Sequence, residues 1–208
     1  MVRVESDPSG EFQGFGREVA VEPNIIKGKG VHHVGLATLN MERTLDFYTS
    51  ILGWKVAWCD IIEPPQGGRI KHAFLDTGDG TLVSFMCPEN VPGIPKEWAT
   101  DIYSAQNLPP GFYHYAFRCD TLEELEARRA ELMRKGVDVT PVVDHEWCRS
   151  IYFNDPNGLV LEFCTTVRQF NADDPIMKHR EQPGPMVKDP KEAERVMARL
   201  MGGKTREK

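Results

Sequence analysis

The sequence predicts an α+β fold in which two βαβββ modules form a cup-shaped mixed sheet, with an N-terminal arm and a C-terminal helix. The main observation is an internal repeat: residues 30–36 place a His in a short apolar run, and residues 111–117 repeat the pattern. Each copy is followed by an amphipathic helical segment that stops at a glycine, and then by strand-like runs with tight Asp/Gly turns. Such a repeat indicates one supersecondary unit used twice.

The domain boundaries follow from this repeat. The predicted organisation is an N-terminal arm at residues 1–29, module 1 at 30–88, a connector or lid at 89–111, module 2 at 112–166 and a C-terminal extension at 167–208. The two modules pair either within one chain or across a dimer, and the sequence leaves both arrangements open.

In module 1, the helix is expected to begin after the N-cap Asn40 and to end at Gly53, a residue suited to the left-handed position after a helix. Prolines and glycines at residues 64–68 predict the turn that follows the second strand. The predicted elements are strand 32–38, helix 41–52, strand 54–62, and a hairpin of strands 70–77 and 81–86.

In module 2, Thr121 and Glu124 form the pattern of a capping box, in which each side chain satisfies a free backbone N–H group of the first helical turn. Gly136 predicts the end of that helix. The predicted elements are strand 113–119, helix 122–135, an extended stretch at 137–147, and strands 150–154 and 159–165.

The connector and the C-terminal extension lie outside the repeat. The connector is rich in proline and is expected to be either a partly ordered crossover or a flap over a cavity. In the extension, Asp189 and Pro190 predict the start of a helix at about residues 190–201. Its apolar stripe must pack on the body or on a second subunit, which favours a homodimer.

Composition limits the classes of function. The chain has 208 residues, 40% of them hydrophobic, with a net charge of −6 and a pI near 5.6, so it can bury a core and lacks the basic surface that nucleic acid requires. No apolar run approaches the roughly 20 residues that cross a bilayer, and the N-terminus lacks the apolar core of a signal peptide. We therefore expect a cytoplasmic protein with neither a nucleic-acid nor a membrane partner.

Strand alternation brings three candidate metal ligands to one surface. If the bulky side chains of each strand face the helices, His33, His114 and Glu162 all point to the opposite, concave face. A carboxylate among apolar strand residues is costly to bury unless it is paired or bound to metal. Two His and one Glu form the ligand set of a facial triad with open positions, so the cup is predicted to surround a divalent metal.

Two alternatives to a metal site remain at the level of single residues. His33 alone is compatible with an ordinary core or surface histidine, and Glu162 alone could pair with Arg118. The repeat also predicts a fourth equivalent position, which Ser84 occupies, and a hydroxyl is a poor ligand. Three protein ligands leave about three positions of an octahedron for substrate and water.

Three motifs resemble the vicinal oxygen chelate superfamily, which includes glyoxalase I, fosfomycin- and bleomycin-resistance proteins, methylmalonyl-CoA epimerase and type I extradiol dioxygenases. They are HVGL at residues 33–36, DFYTSILG at 46–53 and YFNDPNGLVLEF at 152–163. The resemblance implies paired βαβββ modules around one divalent metal held by His33, His114 and Glu162. Resemblance to the three-ligand members implies that this metal is Fe(II) or Mn(II). Other members of the superfamily use Zn(II), Ni(II) or Co(II).

The resemblance also implies roles for two further residues. Tyr152 lies ten residues before Glu162, matching a tyrosine that lines the metal site in the three-ligand groups and hydrogen-bonds substrate in the dioxygenases. The second-sphere His that dioxygenases carry near the start of the last strand of the first module is missing. His145, or alternatively His72, could take over its proton-handling role.

Three functions follow from these residues. The first is an Fe(II) extradiol-type dioxygenase that uses O2 to cleave a catechol-like aromatic diol. The second is a non-redox isomerase, lyase or transferase, in which the metal polarises substrate oxygens; Ser84 disfavours a glyoxalase or an epimerase. The third is a metal-free small-molecule binding or resistance protein, and the presence of three ligand-type residues disfavours it.

Overall fold

A computed structural model describes residues 30–170. The predicted N-terminal arm at 1–29 and the predicted C-terminal helix at about 190–201 lie outside the described residues. Within residues 30–170, no helix has the length and apolar character needed to cross a membrane.

The described chain contains the two predicted modules in order. Module 1 comprises β1 (His33–Ala37), α1 (Met41–Asp46), β2 (Lys55–Ile62), β3 (Arg69–Asp76) and β4 (Leu82–Glu89). A short helix, α2 (Ile102–Ala105), lies in the connector. Module 2 comprises β5 (His114–Arg118), α3 (Leu122–Arg134), β6 (Val143–Asp144), β7 (Cys148–Asn154) and β8 (Val160–Thr166). The α+β class and the duplicated βαβββ unit are confirmed.

The strands form two separate four-stranded sheets with the same topology. One has the order β1-β4-β3-β2 and the other β5-β8-β7-β6, and each first strand runs parallel to the last strand of its module. His33 pairs with Leu82 in the first sheet, and His114 pairs with Val160 in the second. Two residues further along the last strands are Ser84 and Glu162, which occupy equivalent positions as the repeat predicts.

The helix caps follow the sequence signals. The Asn40 side chain accepts a hydrogen bond from the Arg43 N–H group at 2.9 Å, and Thr121 accepts one from Glu124 N–H at 3.1 Å. The carboxylate of Glu124 reaches back to Asp120 N–H at 2.9 Å, one residue before the position that a standard capping box uses. Each helix is followed by a glycine in the left-handed region, with φ of 77° at Gly53 and 83° at 136.

Two elements differ from prediction. The helix expected at 41–52 is α-helical only to Asp46 and continues as a π-helical turn at Phe47–Ile51, where the Leu52 N–H bonds to the Phe47 carbonyl at 3.2 Å. The extended stretch expected at 137–147 forms a strand only at Val143–Asp144. Pro141 has no N–H group to donate, so regular pairing with β7 cannot continue through it.

The modules share one hydrophobic core, in which buried residues of both form a single cluster. The Trp54 ring of module 1 packs against Phe117 of module 2 with ring centroids 4.8 Å apart. Buried Tyr48 donates a hydrogen bond to Asp155 at 3.0 Å, so the π-helical turn of one module is tied to the β7–β8 turn of the other. This packing leaves the other face of each sheet to form the candidate site.

Candidate metal centre

Glu162 and His114 lie on neighbouring parallel strands of the second sheet. Glu162 stands directly across from Ala116, and its carboxylate lies 3.0 Å from Nε2 of His114. The Glu162 side chain is only 6% exposed, whereas that of His114 is 38% exposed. A carboxylate this deeply buried requires a partner, and the imidazole provides one.

A backbone carbonyl orients the imidazole of His114. Its Nδ1 lies 3.0 Å from the carbonyl oxygen of Gly111, which can only accept, so Nδ1 carries the proton in this contact. The hydrogen bond to Glu162 raises the pKa of His114, and partial burial opposes this shift. The Gly111 contact orients the ring so that Nε2 points at the carboxylate, and backbone carbonyls orient metal-ligating histidines by the same kind of contact.

Tyr152 stands beside this pair. It is the cross-strand neighbour of Glu162 on β7, and its ring meets the His114 ring edge-on with centroids 5.9 Å apart. Burial raises the pKa of the Tyr152 phenol, and the nearby charge of Glu162 raises it further. The phenol is therefore protonated at neutral pH and is able to donate a hydrogen bond.

His145 completes this group from the loop between β6 and β7. Its Nε2 lies 2.9 Å from the Tyr152 hydroxyl, and its backbone N–H donates to the Cys148 carbonyl at 2.9 Å. The two residues predicted to handle protons therefore contact each other, next to His114 and Glu162.

Arg118 is not the partner of Glu162. Its guanidinium is exposed and lies 3.5 Å from the carboxylate of Asp120. The alternative in which Glu162 forms an ion pair with Arg118 is therefore wrong for the described chain.

His33 lies on the first sheet, apart from the group around Glu162. Its Nδ1 is 2.9 Å from Nδ1 of His32, and its ring contacts Phe74 edge-on at 5.6 Å. The equivalent of Glu162 in this sheet, Ser84, is buried, and its hydroxyl donates to the Val34 carbonyl at 3.4 Å.

The donor set suits a divalent ion, but one chain supplies it only in part. An imidazole nitrogen and a carboxylate oxygen face each other on the second sheet, and such donors bind Fe(II), Mn(II) or Zn(II). Within residues 30–170, no group of three or more His, Cys, Asp or Glu side chains is arranged to hold a metal ion. The third candidate ligand, His33, stands at the symmetry-related position of the other sheet.

Two features of the site were not anticipated from the sequence. The Gly111 carbonyl that orients His114 gives no signal in a residue pattern, because every residue carries a carbonyl group. The second is a hydrogen-bond contact on the first sheet between Nδ1 of His72 and the carboxylate of Asp60, which lie 3.1 Å apart. Only the pairing register of β2 and β3, which brings these two residues opposite each other, reveals it.

The duplicated βαβββ fold and a His–Glu pair on one face of a sheet define a class of protein, and comparison with known families agrees with it. The family model of the glyoxalase/bleomycin resistance protein/dioxygenase superfamily matches residues 30–163, more than half of the chain. The chain belongs to this superfamily. Members of the superfamily generally use divalent metals and bind small molecules.

Individual relatives are distant. A Bacillus subtilis (strain 168) protein named "Putative ring-cleaving dioxygenase MhqA" is 25% identical over 166 residues, which cover 79% of this chain and 49% of the relative. The chain thus spans about half the length of this curated relative.

Two solved structures agree with the fold. The structure of SMU.1112c has a TM-score of 0.50 at 26% identity, covering 66% of this chain and 99% of that chain. A glyoxylase/bleomycin resistance protein/dioxygenase domain from Frankia sp. EAN1pec has a TM-score of 0.50 at 21% identity, covering 67% and 99% of the two chains.

Proposed function

We propose that this protein is a metal-dependent enzyme of the extradiol dioxygenase type, which cleaves a catechol-like ring with Fe(II) and O2. The observation that carries the proposal is the contact between buried Glu162 and His114, with the protonated Tyr152 phenol beside it. The distant similarity to a protein named as a ring-cleaving dioxygenase supports the same reaction class.

In this proposal His33, His114 and Glu162 hold the metal. The ion would act as a Lewis acid toward substrate oxygens and, as Fe(II), would supply the redox chemistry that O2 requires. The chain itself orients the imidazole of His114. The Gly111 carbonyl holds the ring proton on Nδ1, and this tautomer leaves Nε2 as the atom that would bind the metal.

Tyr152 and His145 handle protons and position the substrate. Because its pKa is raised, the Tyr152 hydroxyl is a hydrogen-bond donor at neutral pH, and His145 at 2.9 Å is a base that can exchange a proton with it. A substrate hydroxyl that reaches this pair can therefore lose a proton within the site.

We further propose that a second copy of the chain completes the site as a homodimer. His114 and Glu162 lie on the second sheet, His33 lies on the first, and within the described chain they form no group able to hold a metal. Equivalent register positions allow the first sheet of one copy to face the second sheet of another.

The test is oxygen uptake by protein reconstituted anaerobically with Fe(II), against substituted catechols and hydroquinones. Uptake with a new visible absorbance is expected for the natural sequence and is expected to disappear in His114→Ala and Glu162→Gln. Glu42→Gln is the matched control, because Glu42 is an exposed carboxylate on α1 that forms an ion pair with Lys71.

The outcomes separate the three functions. Tightly bound iron without oxygen uptake for any diol would overturn the dioxygenase and favour the non-redox isomerase, lyase or transferase. Failure to retain any divalent metal would favour a metal-free small-molecule binding protein.

A further inference from the structure

The face of the first sheet that carries His33 also carries aromatic side chains that the proposed chemistry does not use. One row across the sheet runs from Gly35 to Ser84, Phe74 and Trp58, each paired directly with the next. Directly paired residues project from the same face of a sheet, so this row shares the face of His33, two residues before Gly35. Gly35 and Ser84 are the small residues at one end of this row, and Phe74 and Trp58 are the aromatic residues at the other.

The neighbouring row adds a polar group. His72 on β3 pairs with Asp60 on β2, and Nδ1 of His72 lies 3.1 Å from the Asp60 carboxylate. The His72 ring also packs edge-on against the Phe74 ring, with ring centroids 4.6 Å apart. Phe74 in turn contacts the His33 ring at 5.6 Å, so the polar group lies one aromatic ring away from a candidate metal ligand.

The Asp60 contact decides what His72 can recognise. A carboxylate accepts only, so the proton of the neutral imidazole lies on Nδ1 and Nε2 becomes an acceptor. An acceptor beside aromatic rings suits the hydroxyl of a phenol, whose ring packs on Phe74 and Trp58 while its O–H group donates to Nε2. Trp58 is 60% exposed, which is unusual for a large aromatic side chain and leaves its ring available for such packing.

We propose that Trp58, Asp60, His72 and Phe74 form a specificity wall, which binds the ring of a phenolic substrate and accepts a hydrogen bond from a ring hydroxyl on the side away from the metal. The inference deepens the proposed function and rests on it, because the proposed function says which end of the substrate reaches the metal. It favours substrates with a hydroxyl on the side of the ring opposite the hydroxyl that reaches the metal ligands. A para-diol and a catechol with a further hydroxyl both meet this requirement.

The test measures binding without turnover. Hydroquinone and its dimethyl ether, which cannot donate a hydrogen bond, are titrated anaerobically by calorimetry into the metal-free 208-residue chain. His72→Phe keeps the aromatic surface and is expected to weaken hydroquinone binding roughly five- to ten-fold while leaving the ether unchanged. Trp58→Ala is expected to weaken the binding of both ligands. Ile61→Ala changes an exposed residue on the opposite face of the same strand and is expected to leave both affinities unchanged.

Asp60→Ala is the second variant, to be used if His72→Phe does not fold. It is also expected to weaken the binding of hydroquinone and to leave the binding of the ether unchanged. An equal loss of affinity for both ligands in His72→Phe would overturn the proposed specificity wall. So would the absence of detectable hydroquinone binding to the natural sequence. Because the titration needs neither metal nor O2, it stays informative if no ring cleavage occurs. Ring cleavage combined with unchanged hydroquinone affinity in His72→Phe would overturn the wall alone.

Discussion

The Tyr152 hydroxyl is the single atom on which the proposed proton transfer depends most. It lies 2.9 Å from His145, and burial keeps it protonated at neutral pH. Removing it in Tyr152→Phe is expected to lower kcat about 100-fold with metal content unchanged, since general acid–base groups contribute roughly 10²–10⁴-fold. Oxygen-uptake kinetics measure the change. Tyr115→Phe, on the opposite face of the sheet, is the matched control, and equal activity in Tyr152→Phe would contradict the role.

Asp155 is a buried carboxyl whose ionisation opposes folding. Its oxygens accept from Tyr48, Asn157 and Leu159, which lower its pKa, but burial outweighs them and raises it above the usual 3.8. A raised folded-state pKa favours the protonated form in the folded chain. This contribution to stability is therefore complete below pH 3.8 and is lost as pH rises through the folded-state pKa.

Asp155→Asn isolates this effect. The variant is expected to be less stable overall, by about 1–3 kcal/mol, because its amide cannot accept all the bonds that the carboxylate accepts. Relative to the natural sequence, it should also lack the loss of stability with rising pH that Asp155 contributes above pH 3.8. Urea unfolding at several pH values above 3.8 measures both. A stability difference between the two proteins that does not change with pH would contradict the pKa assignment.

At the scale of elements, the β7–β8 turn anchors the connector. Thr100 donates a hydrogen bond to the Asn157 carbonyl at 2.6 Å, and Tyr103 donates one to the Gly158 carbonyl at 2.8 Å. Burial raises the pKa of Tyr103 to about 12, so its hydroxyl remains a donor across the neutral range. The connector, predicted as a crossover or a flap, is thus tied to module 2 at the end of the sheet where β5 and β8 begin.

Tyr103→Phe is expected to loosen this attachment. Loss of this partly buried hydrogen bond is expected to lower the free energy of unfolding by about 1 kcal/mol. Limited proteolysis is expected to cleave faster within residues 89–111, while cleavage elsewhere stays unchanged. Tyr113→Phe, at a more exposed tyrosine just beyond the connector, is the control, and equal cleavage rates in the two variants would argue against the anchor.

The elements that were predicted best are those with local signals. Caps at Asn40 and Thr121 and glycines after both helices placed the helix ends, because these bonds join residues close in sequence. The π-helical turn was missed because no local pattern signals it, and the hydrogen bond of its Tyr48 joins Asp155, more than a hundred residues away. The shortened β6 is consistent with Pro141, which lacks the N–H group that regular strand pairing would need.

The same distinction applies to the site. Strand parity correctly placed Glu162, His114 and Tyr152 on one face, since alternation is a property of each strand alone. Which sheets meet face to face depends on packing between modules, which no residue pattern within one module encodes. The position of His33 relative to the other two candidates therefore had to come from the three-dimensional structure.

At the scale of the whole molecule, duplication has produced two sheets with unequal donor content. The first sheet offers His33 and a buried serine, and the second offers His114 and a buried glutamate. Pairing a first sheet with a second sheet of another copy gives each cup three ligands, whereas two first sheets would give only two. The proposed symmetric homodimer would thus contain two identical sites, each using residues from both copies.

Mixing two defective variants tests this arrangement. His33→Ala and Glu162→Ala are each expected to lose tightly bound metal, because every site lacks one ligand. After subunit exchange, a mixed dimer would contain one intact site and one lacking both ligands. Metal analysis should therefore recover about a quarter of the natural metal content when half of the dimers are mixed. If both modules of a site belong to one chain, every site remains defective and no metal returns, which would overturn the shared site.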